Sequence, residues 1–372
     1  MNTSLKFLDS GNSLFFVTIK KRVDEYFKAN NISKYANTAM VLKTIIYLTS
    51  FVGLYFLILF EVFPIVVSLF LAIALGMNMA FIGFNVCHDA LHGSYSKNAF
   101  VNKSLGFIFN IIGANVYVWN ITHNKVHHTY TNIIGHDGDL DVAPGLVRVS
   151  PEEPLKPIHR YQHIYAFALY SLASLSWFFR KDYVKFFQKN IGSHVNKHPK
   201  IEYFNLFFYK LVYYTLFIIV PLVVMDITWW QFMIGFLVMN FAEGLVLGLV
   251  FQLAHLVEDT EMPNPQGDEN IEETWAAHQM RTTANFARKN PVVNFLCGGL
   301  NLQVEHHLFP KICHIHYVEI SEIVKETAEE FGLPYNENAT FGSALKSHYD
   351  FLKAAGRASE KEVVSEEIEV MA

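Results

Sequence analysis

Charge is scarce in this chain of 372 residues: only 17% are Asp, Glu, Lys or Arg, against about 25% in soluble globular proteins. With 52% hydrophobic residues, a mean hydropathy of +0.21 and apolar residues gathered into long blocks, that deficit excludes an ordinary soluble fold and predicts an integral membrane protein. The net charge of -5 gives no reason to expect a nucleic-acid partner. Cysteine is scarcer still. Cys87, Cys297 and Cys313 are an odd set in or near the half of the chain expected to face the reducing cytoplasm, so no disulfide is expected. Cys87, beside His88, reads as a small buried residue at a helix end rather than a ligand. No apolar run precedes a small-residue cleavage site in the mixed, charged N-terminal stretch, so the mature chain is expected to begin at Met1. Internal repeats of solenoid period are also absent.

What is present is a set of four long apolar blocks, at roughly 43–60, 64–87, 206–225 and 229–254. Each is near the ~20 residues that cross the hydrocarbon core of a membrane, which favours spans over the buried core helices of a soluble all-α protein. They pair into two tight hairpins. The turns around Glu61-Val62-Phe63 and Asp226-Ile227-Thr228 carry no Lys or Arg, whereas Lys20, Lys21, Arg22, Lys28 and Lys34 precede the first span. The middle loop is basic as well, with Lys97, Lys103, Lys125, Arg148, Arg180 and Lys181 among others. Positive-inside reasoning therefore puts both termini and the middle loop in the cytoplasm. The expected organisation is a cytoplasmic segment 1–42, a membrane domain 43–354 and an acidic tail 355–372. The domain would carry a cytoplasmic helical cap built from 88–205 and 255–354. The tail's EKEVVSEEIEV stretch has too little apolar content to pack and reads as disordered. Residues 106–119 are short for a crossing and suit a re-entrant or surface-lying segment. Residues 162–179, aromatic-rich and followed by Arg180 and Lys181, suit an amphipathic helix lying on the membrane. A cap of this kind opens to the lipid phase, the source of a long apolar substrate.

Of 17 histidines, eight fall in four short clusters: His88 and His92; His123, His127 and His128; His255; His306 and His307. Histidines at i and i+4 share a helix face with Cβ atoms about 5–6 Å apart, so His88/His92 and His123/His127 are each expected to grip one ion. Adjacent pairs, His127-His128 and His306-His307, point about 100° apart and suit two different ions. Eight imidazoles exceed one centre. Closed tetrahedral zinc sites would be structural, and a chain this large and apolar needs no such staple. Nitrogen ligands without thiolates suit iron, copper, nickel or zinc, and a catalytic pair with open positions favours redox-active iron. All four clusters fall on the side that the basic residues assign to the cytoplasm. His255, alone at the end of the fourth block, stays open between a ligand and a capping or core residue.

His88-Asp89-Ala90-Leu91-His92, His123-Asn124-Lys125-Val126-His127-His128 and Gln303-Val304-Glu305-His306-His307 resemble the three histidine boxes of the membrane fatty acid desaturases, in order and with spans between them. The resemblance covers about residues 35–330. It implies two iron ions, dioxygen as co-substrate and a long-chain acyl substrate in which a cis double bond is made. It also implies that His255 is a further iron ligand. Gln303, where many relatives have histidine, resembles the front-end subgroup, which works between an existing double bond and the carboxyl end. That subgroup often carries a fused cytochrome b5 domain with a His-Pro-Gly-Gly motif, which is not found here. The expected donor is therefore external, a ferredoxin or a cytochrome b5 with its reductase. A di-iron hydroxylase is the alternative within this chemistry. A bis-histidine haem electron carrier is the alternative outside it, and would set single histidines within facing spans.

Ligand imidazoles need an acceptor on the second ring nitrogen. Asp89, Asp137, Asp139, Asp141 and Glu305 stand near enough in sequence, and Gln303 shares a helix face with His306 and His307, where it can hold a water or bind iron weakly. The Asp137/Asp139/Asp141 run departs from a calcium loop at Val142. His278 is kept off the ligand set, as are His136, His159, His163, His194, His198, His314, His316 and His348. Asn78 and Glu243 sit inside spans, open between a functional pair and packing. Trp119, Tyr117, Trp275 and Phe295 are aromatic candidates for lining an acyl tunnel.

Overall fold

The computed structural model describes residues 5–8, 13–139, 143–150, 152–265 and 270–358. Asp141, Val142 and the tail beyond 358 lie outside the described residues. The rest is helical: α1 (Ser13–Ala29), α2 (Thr38–Leu59), α3 (Ile65–His92), α4 (Ala99–Ile111), α5 (Val116–Tyr130), α6 (Gln162–Tyr170) and α7 (173–187). There follow α8 (Lys200–Val224), α9 (Trp229–His255), α10 (Trp275–Thr282), α11 (Pro291–Cys297), α12 (Gln303–Leu308), α13 (Tyr317–Glu330) and α14 (Phe341–Ala355). Among the described residues, strand pairing is limited to two short ribbons, Asn190–Ile191 with His194–Val195 and Asn285–Phe286 with Glu337–Asn338.

Helices α2, α3, α8 and α9 are long and apolar enough to cross a membrane. Their lipid-facing surfaces stay apolar, with Val52, Phe70, Phe204, Leu211 and Val223 exposed, as expected where hydrocarbon rather than water is the neighbour. The connections 60–64 and 225–228 meet at one end, where the Asp226 N–H donates to Glu61 Oε1 at 2.6 Å. α3 and α9 cross in close contact: a Cβ at Gly76 would stand 1.9 Å from the Met239 carbonyl oxygen, so only glycine fits.

α3 and α9 are longer than their apolar blocks, 28 and 27 residues. At 1.5 Å per residue this is about 42 and 40 Å, well beyond the ~30 Å hydrocarbon layer. His88 and His92 are part of the helix that contains the second block and do not follow it, and α9 ends on His255 as its block indicates. The end opposite the two turns is thus the histidine end.

The stretch read as one interfacial segment, 106–119, is broken. α4 and α5 meet at 111°. Gly113 makes the bend, with φ +106 and the Phe178 ring 2.6 Å from where a Cβ would be. Asn115 caps α5 by accepting from the Val118 N–H. Lys210 of α8 then locks the corner, donating to the Gly113 carbonyl at 2.6 Å and to Asp182 Oδ2 at 2.7 Å. Asp182 also accepts from the Asn115 N–H and the Trp177 indole, both at 2.9 Å. This buried, fully bonded ion pair fixes the start of the helix that carries three histidines. α6 and α7 expose Ile164, Phe179, Val184 and Phe187, the apolar outer face expected of a helix at a membrane surface.

α1 buries Phe15, Ile19, Val23 and Phe27, at every fourth residue, against Tyr317, Ile320 and Val324 of α13. The three cysteines are buried and unpaired with one another. Cys87 packs in the core between the spans with its S–H toward the Leu105 carbonyl. Asn78 and Glu243 do not form a functional pair: the Asn78 amide donates to the Tyr47 carbonyl at 3.1 Å, and Glu243 is buried in α9 with Oε2 unbonded.

Candidate metal centre

Two π turns shape the site. In α3 the His88 N–H bonds to the Gly83 carbonyl, five residues back, and in α5 the His128 N–H bonds to the His123 carbonyl. Each widens the helix where the metal-binding residues begin, a common use of such turns at functional sites.

All eight histidines converge in one buried pocket. His88, His92, His123 and His306 bring ligand nitrogens together in one set; His127, His255 and His307 form a second, and His128 stands with His306 and His307 between them. His88 Nε2 is 3.3 Å from His123 Nε2, which is 3.2 Å from His128 Nε2. The rings of His92 and His306 are 4.9 Å apart, those of His127 and His255 4.7 Å, and those of His128 and His307 4.5 Å. His306 and His307, adjacent in sequence, fall in different sets, with α12 short and its Gln303/His306/His307 face turned inward.

His123 and His127 do not share an ion's set as their i, i+4 spacing predicts. The π turn is the reason: with i→i+5 bonding and about 4.4 residues per turn, His127 and His128 flank the face of His123 on either side, His128 with its Nε2 3.2 Å from that of His123 and His127 turned toward α9 and His255.

The fit of this pocket to metal ions follows from its unbonded nitrogens. His92 Nε2, His127 Nε2 and His306 Nε2 are buried and without hydrogen-bond partners. A neutral imidazole offers one N–H, and rings that face only one another cannot all be satisfied. Nitrogen spacings of 3.2–3.3 Å match the roughly 3.0–3.4 Å between neighbouring ligands that each sit about 2.0–2.1 Å from a shared ion. Burial and the surrounding imidazoles hold His306 and His307 well below the usual histidine range, in the neutral form that ligates. The two principal sets contain neither thiolate nor carboxylate.

The second nitrogens are held from outside. His127 Nδ1 lies 2.8 Å from Asp137 Oδ2, and His307 Nδ1 2.7 Å from Gln279 Oε1, which also accepts from the Thr131 hydroxyl at 2.8 Å. His306 Nδ1 is 3.4 Å from the Tyr317 hydroxyl. Asp139 Oδ2 lies 3.9 Å from His123 Nδ1 and its other oxygen pairs with Lys181 at 2.9 Å. Gln279, Tyr317 and Thr131 carry no motif and were not legible from the sequence.

Asp89 and Glu305 do not serve the cluster. Asp89 is turned about 100° from His88 around α3 and meets His314 Nδ1 at 2.8 Å and Cys313 Sγ at 3.0 Å instead. Glu305 faces away from its histidine neighbours, accepting from Asn285 at 2.8 Å and from the Tyr335 hydroxyl at 2.9 Å. Burial pushes its carboxyl up to about 7, against the lowering pull of those two bonds.

Gln303 does enter the site: its amide lies 2.9 Å from His255 Nε2 and 3.3 Å from His307 Nε2. His278 stays outside, 2.8 Å from the Thr131 carbonyl. Three others left off the set have partners elsewhere: Ser193 for His136, the Phe186 carbonyl for His198 and the Tyr35 carbonyl for His316. Trp119 stacks on His123 with centroids 4.4 Å apart. Of the four aromatic candidates it is the one that lines the adjoining cavity; Tyr117, Trp275 and Phe295 do not. Trp275 instead donates to the His128 carbonyl at 2.9 Å.

Helices long and apolar enough to cross a membrane, ending in a buried, nitrogen-lined pocket able to hold metal, are the features of a class of membrane-bound metalloenzyme. The chain belongs to the fatty acid desaturase family, whose model matches residues 63–339. It is 38% identical to the sn-1 linoleoyl-lipid 6-desaturase of Synechocystis sp., over 92% of this chain and 95% of that one. It is 35% identical to the acyl-lipid (8-3)-desaturase of Physcomitrium patens, over 95% of this chain and 74% of that one. It is 30% identical to the acyl-lipid (8-3)-desaturase of Mortierella alpina, over 94% and 79%. The chain is a fatty acyl desaturase, an oxidoreductase in a membrane, of a family that uses iron and dioxygen.

Proposed function

We propose that this desaturase inserts a cis double bond on the carboxyl side of an existing one in a long-chain acyl lipid or acyl-CoA, at two irons held by His88, His92, His123, His127, His128, His255, His306 and His307. The observation that carries this reading is a cavity of about 310 Å³ that touches His88, His123 and Gln303. Phe84, Phe109, Trp119, Trp177 and Leu247 give it apolar walls, and Arg180, Lys181 and Lys185 line it too, together with Asp139 and Asp182. An acyl chain suits the walls and a polar carrier suits the charged residues.

Iron in the pocket would supply the oxygen chemistry that no side chain can, removing two hydrogens from adjacent methylenes while dioxygen, two electrons and two protons become two waters. The residues do the rest. The cavity wall holds one carbon pair against the histidine sets and keeps bulk water away, and its shape selects both position and cis geometry. Asp137 and Gln279 orient His127 and His307 through their Nδ1 atoms. Gln303 offers the second set a neutral amide; with its oxygen and nitrogen exchanged, Oε1 faces His255 and His307 as a weak donor or a water holder.

Front-end regiochemistry is supported by Gln303 and by the Synechocystis relative, named for position 6 of a linoleoyl chain that already carries double bonds. Electrons come from a ferredoxin or a cytochrome b5 with its reductase. Both connections at the end opposite the histidines lack Lys and Arg, which supports two membrane hairpins with the metal pocket, its helical cap and both termini cytoplasmic. The domain limits are a cytoplasmic segment that ends at the start of α2, a few residues before the limit of 42 read from hydropathy, and a membrane desaturase domain to 354.

The test is the fatty-acid profile, with double bonds located by mass spectrometry, of a host making this chain with a compatible donor and unsaturated precursors. A new cis bond between the carboxyl group and an existing double bond is expected. A bond on the methyl side, or a hydroxylated product, contradicts the reading.

A further inference from the structure

α14 begins at Phe341, just beyond the residues matched by the family model, yet it reaches the cavity wall through one side chain. His348 is fully buried, with Nδ1 2.6 Å from the Leu256 carbonyl and Nε2 2.8 Å from the Tyr170 hydroxyl. A carbonyl only accepts, so Nδ1 carries the ring proton and Nε2 accepts from the Tyr170 O–H. Burial pushes His348 down to about 4, which keeps this neutral form. Tyr170 is itself fully buried and lines the cavity. Its backbone cannot retreat: a Cβ at Gly248 of α9 would stand 2.7 Å from the Tyr170 Cβ, and one at Gly244 would stand 3.0 Å from its carbonyl oxygen.

α14 is fastened so that His348 stays in place. Gln162 donates to the Leu352 carbonyl at 2.8 Å, Arg148 to the Ala358 carbonyl at 3.0 Å, and the Glu258 N–H to Ser347 Oγ at 3.0 Å.

We propose that His348 is a positioning residue for regioselectivity: by accepting the Tyr170 hydroxyl it turns the phenol's polar end away from the acyl chain and leaves an apolar ring face as cavity wall. The C-terminal helix thereby takes part in choosing the carbon pair that is oxidised. Without the imidazole the buried hydroxyl has no acceptor, a costly state that drives it toward another partner. The phenol then moves into a cavity of about 310 Å³ and shifts the register of the chain. This rests on the reading of that cavity as the acyl site.

The test is the ratio of positional isomers made by membrane-inserted enzyme in a host fed linoleate, with iron per chain measured alongside. His348→Leu is expected to lower the ratio of main to minor isomers about tenfold, the scale of a one-methylene change in an apolar site, with iron content unchanged. The double variant Tyr170→Phe/His348→Leu, which has no stranded hydroxyl, is expected to restore the ratio. Unchanged selectivity in His348→Leu, or a double variant as unselective as the single one, overturns the proposal. If His348→Leu does not accumulate, Gly248→Ala displaces the same ring from the other side and must give mixed isomers; unchanged products there refute the wall role. Gly83→Ala separates the two readings. Its methyl enters the cavity with Phe109 Cε2 3.6 Å away. A product shift there without one in His348→Leu refutes only the role of His348, and no shift in either refutes the acyl cavity itself.

Discussion

Alanine at His92 is expected to remove one metal ion per chain and alanine at His255 the other, and neither chain is expected to make a new double bond. The two residues fall in separate sets. His92 groups with His88, His123 and His306, and His255 with His127 and His307. Each set loses a ligand, and the nearest carboxylates are already engaged: Asp89 by His314 and Cys313, Asp137 by His127 Nδ1 and Asp139 by Lys181. Metal quantification on the purified, membrane-inserted chains should fall from about two ions to about one in either variant, the ligand count being what holds such ions. Two ions retained in either variant, or turnover at the wild-type rate, would show that the set was drawn wrongly. His278→Ala serves as the contrast, since that ring bonds to the Thr131 carbonyl rather than to the cluster; its metal content should stay at the wild-type value.

Asp137→Ala is expected to lower metal affinity or turnover about 10–100-fold, the usual cost of removing the acceptor behind a ligating imidazole. Asp137 is buried, and one carboxylate organises three groups. Oδ2 takes His127 Nδ1 at 2.8 Å and the Asn132 N–H at 3.0 Å, and Oδ1 takes the Asp139 N–H at 3.0 Å. Losing it frees the His127 ring and loosens the loop that carries Asp139. Glu305→Gln, by contrast, should change metal content little, because Glu305 bonds to Asn285 and Tyr335 rather than to a cluster histidine. Metal titration of the two variants side by side checks the pair. A larger effect at Glu305 than at Asp137 would contradict the assignment of acceptors.

The spans were legible because hydropathy reports directly on what hydrocarbon tolerates. The histidine-bearing end of α3 was not, since polar residues end the apolar block while the helix continues through Cys87 to His92; in α9 the block already ran to the residue before His255. All eight histidines stood out by type and spacing, but their pairing did not. The i, i+4 rule presumes an α-helix, and nothing in Asn120–His127 announces a π turn. Asp89 and Glu305 were misjudged for a simpler reason: nearness in sequence on a helix is not nearness in space, and one residue from a ligand means about 100° away from it. Gln279 and Tyr317 come from distant elements that only the fold brings to His307 and His306.

The central claim, a buried nitrogen-lined pocket that holds two irons, is tested most directly by X-ray absorption at the iron edge on the purified wild-type chain, with iron counted per chain. About two irons per chain, each with a first shell of imidazole nitrogen and a minor oxygen component, are expected. A single iron per chain, a sulfur shell, or zinc filling the pocket in iron-replete cells would contradict it.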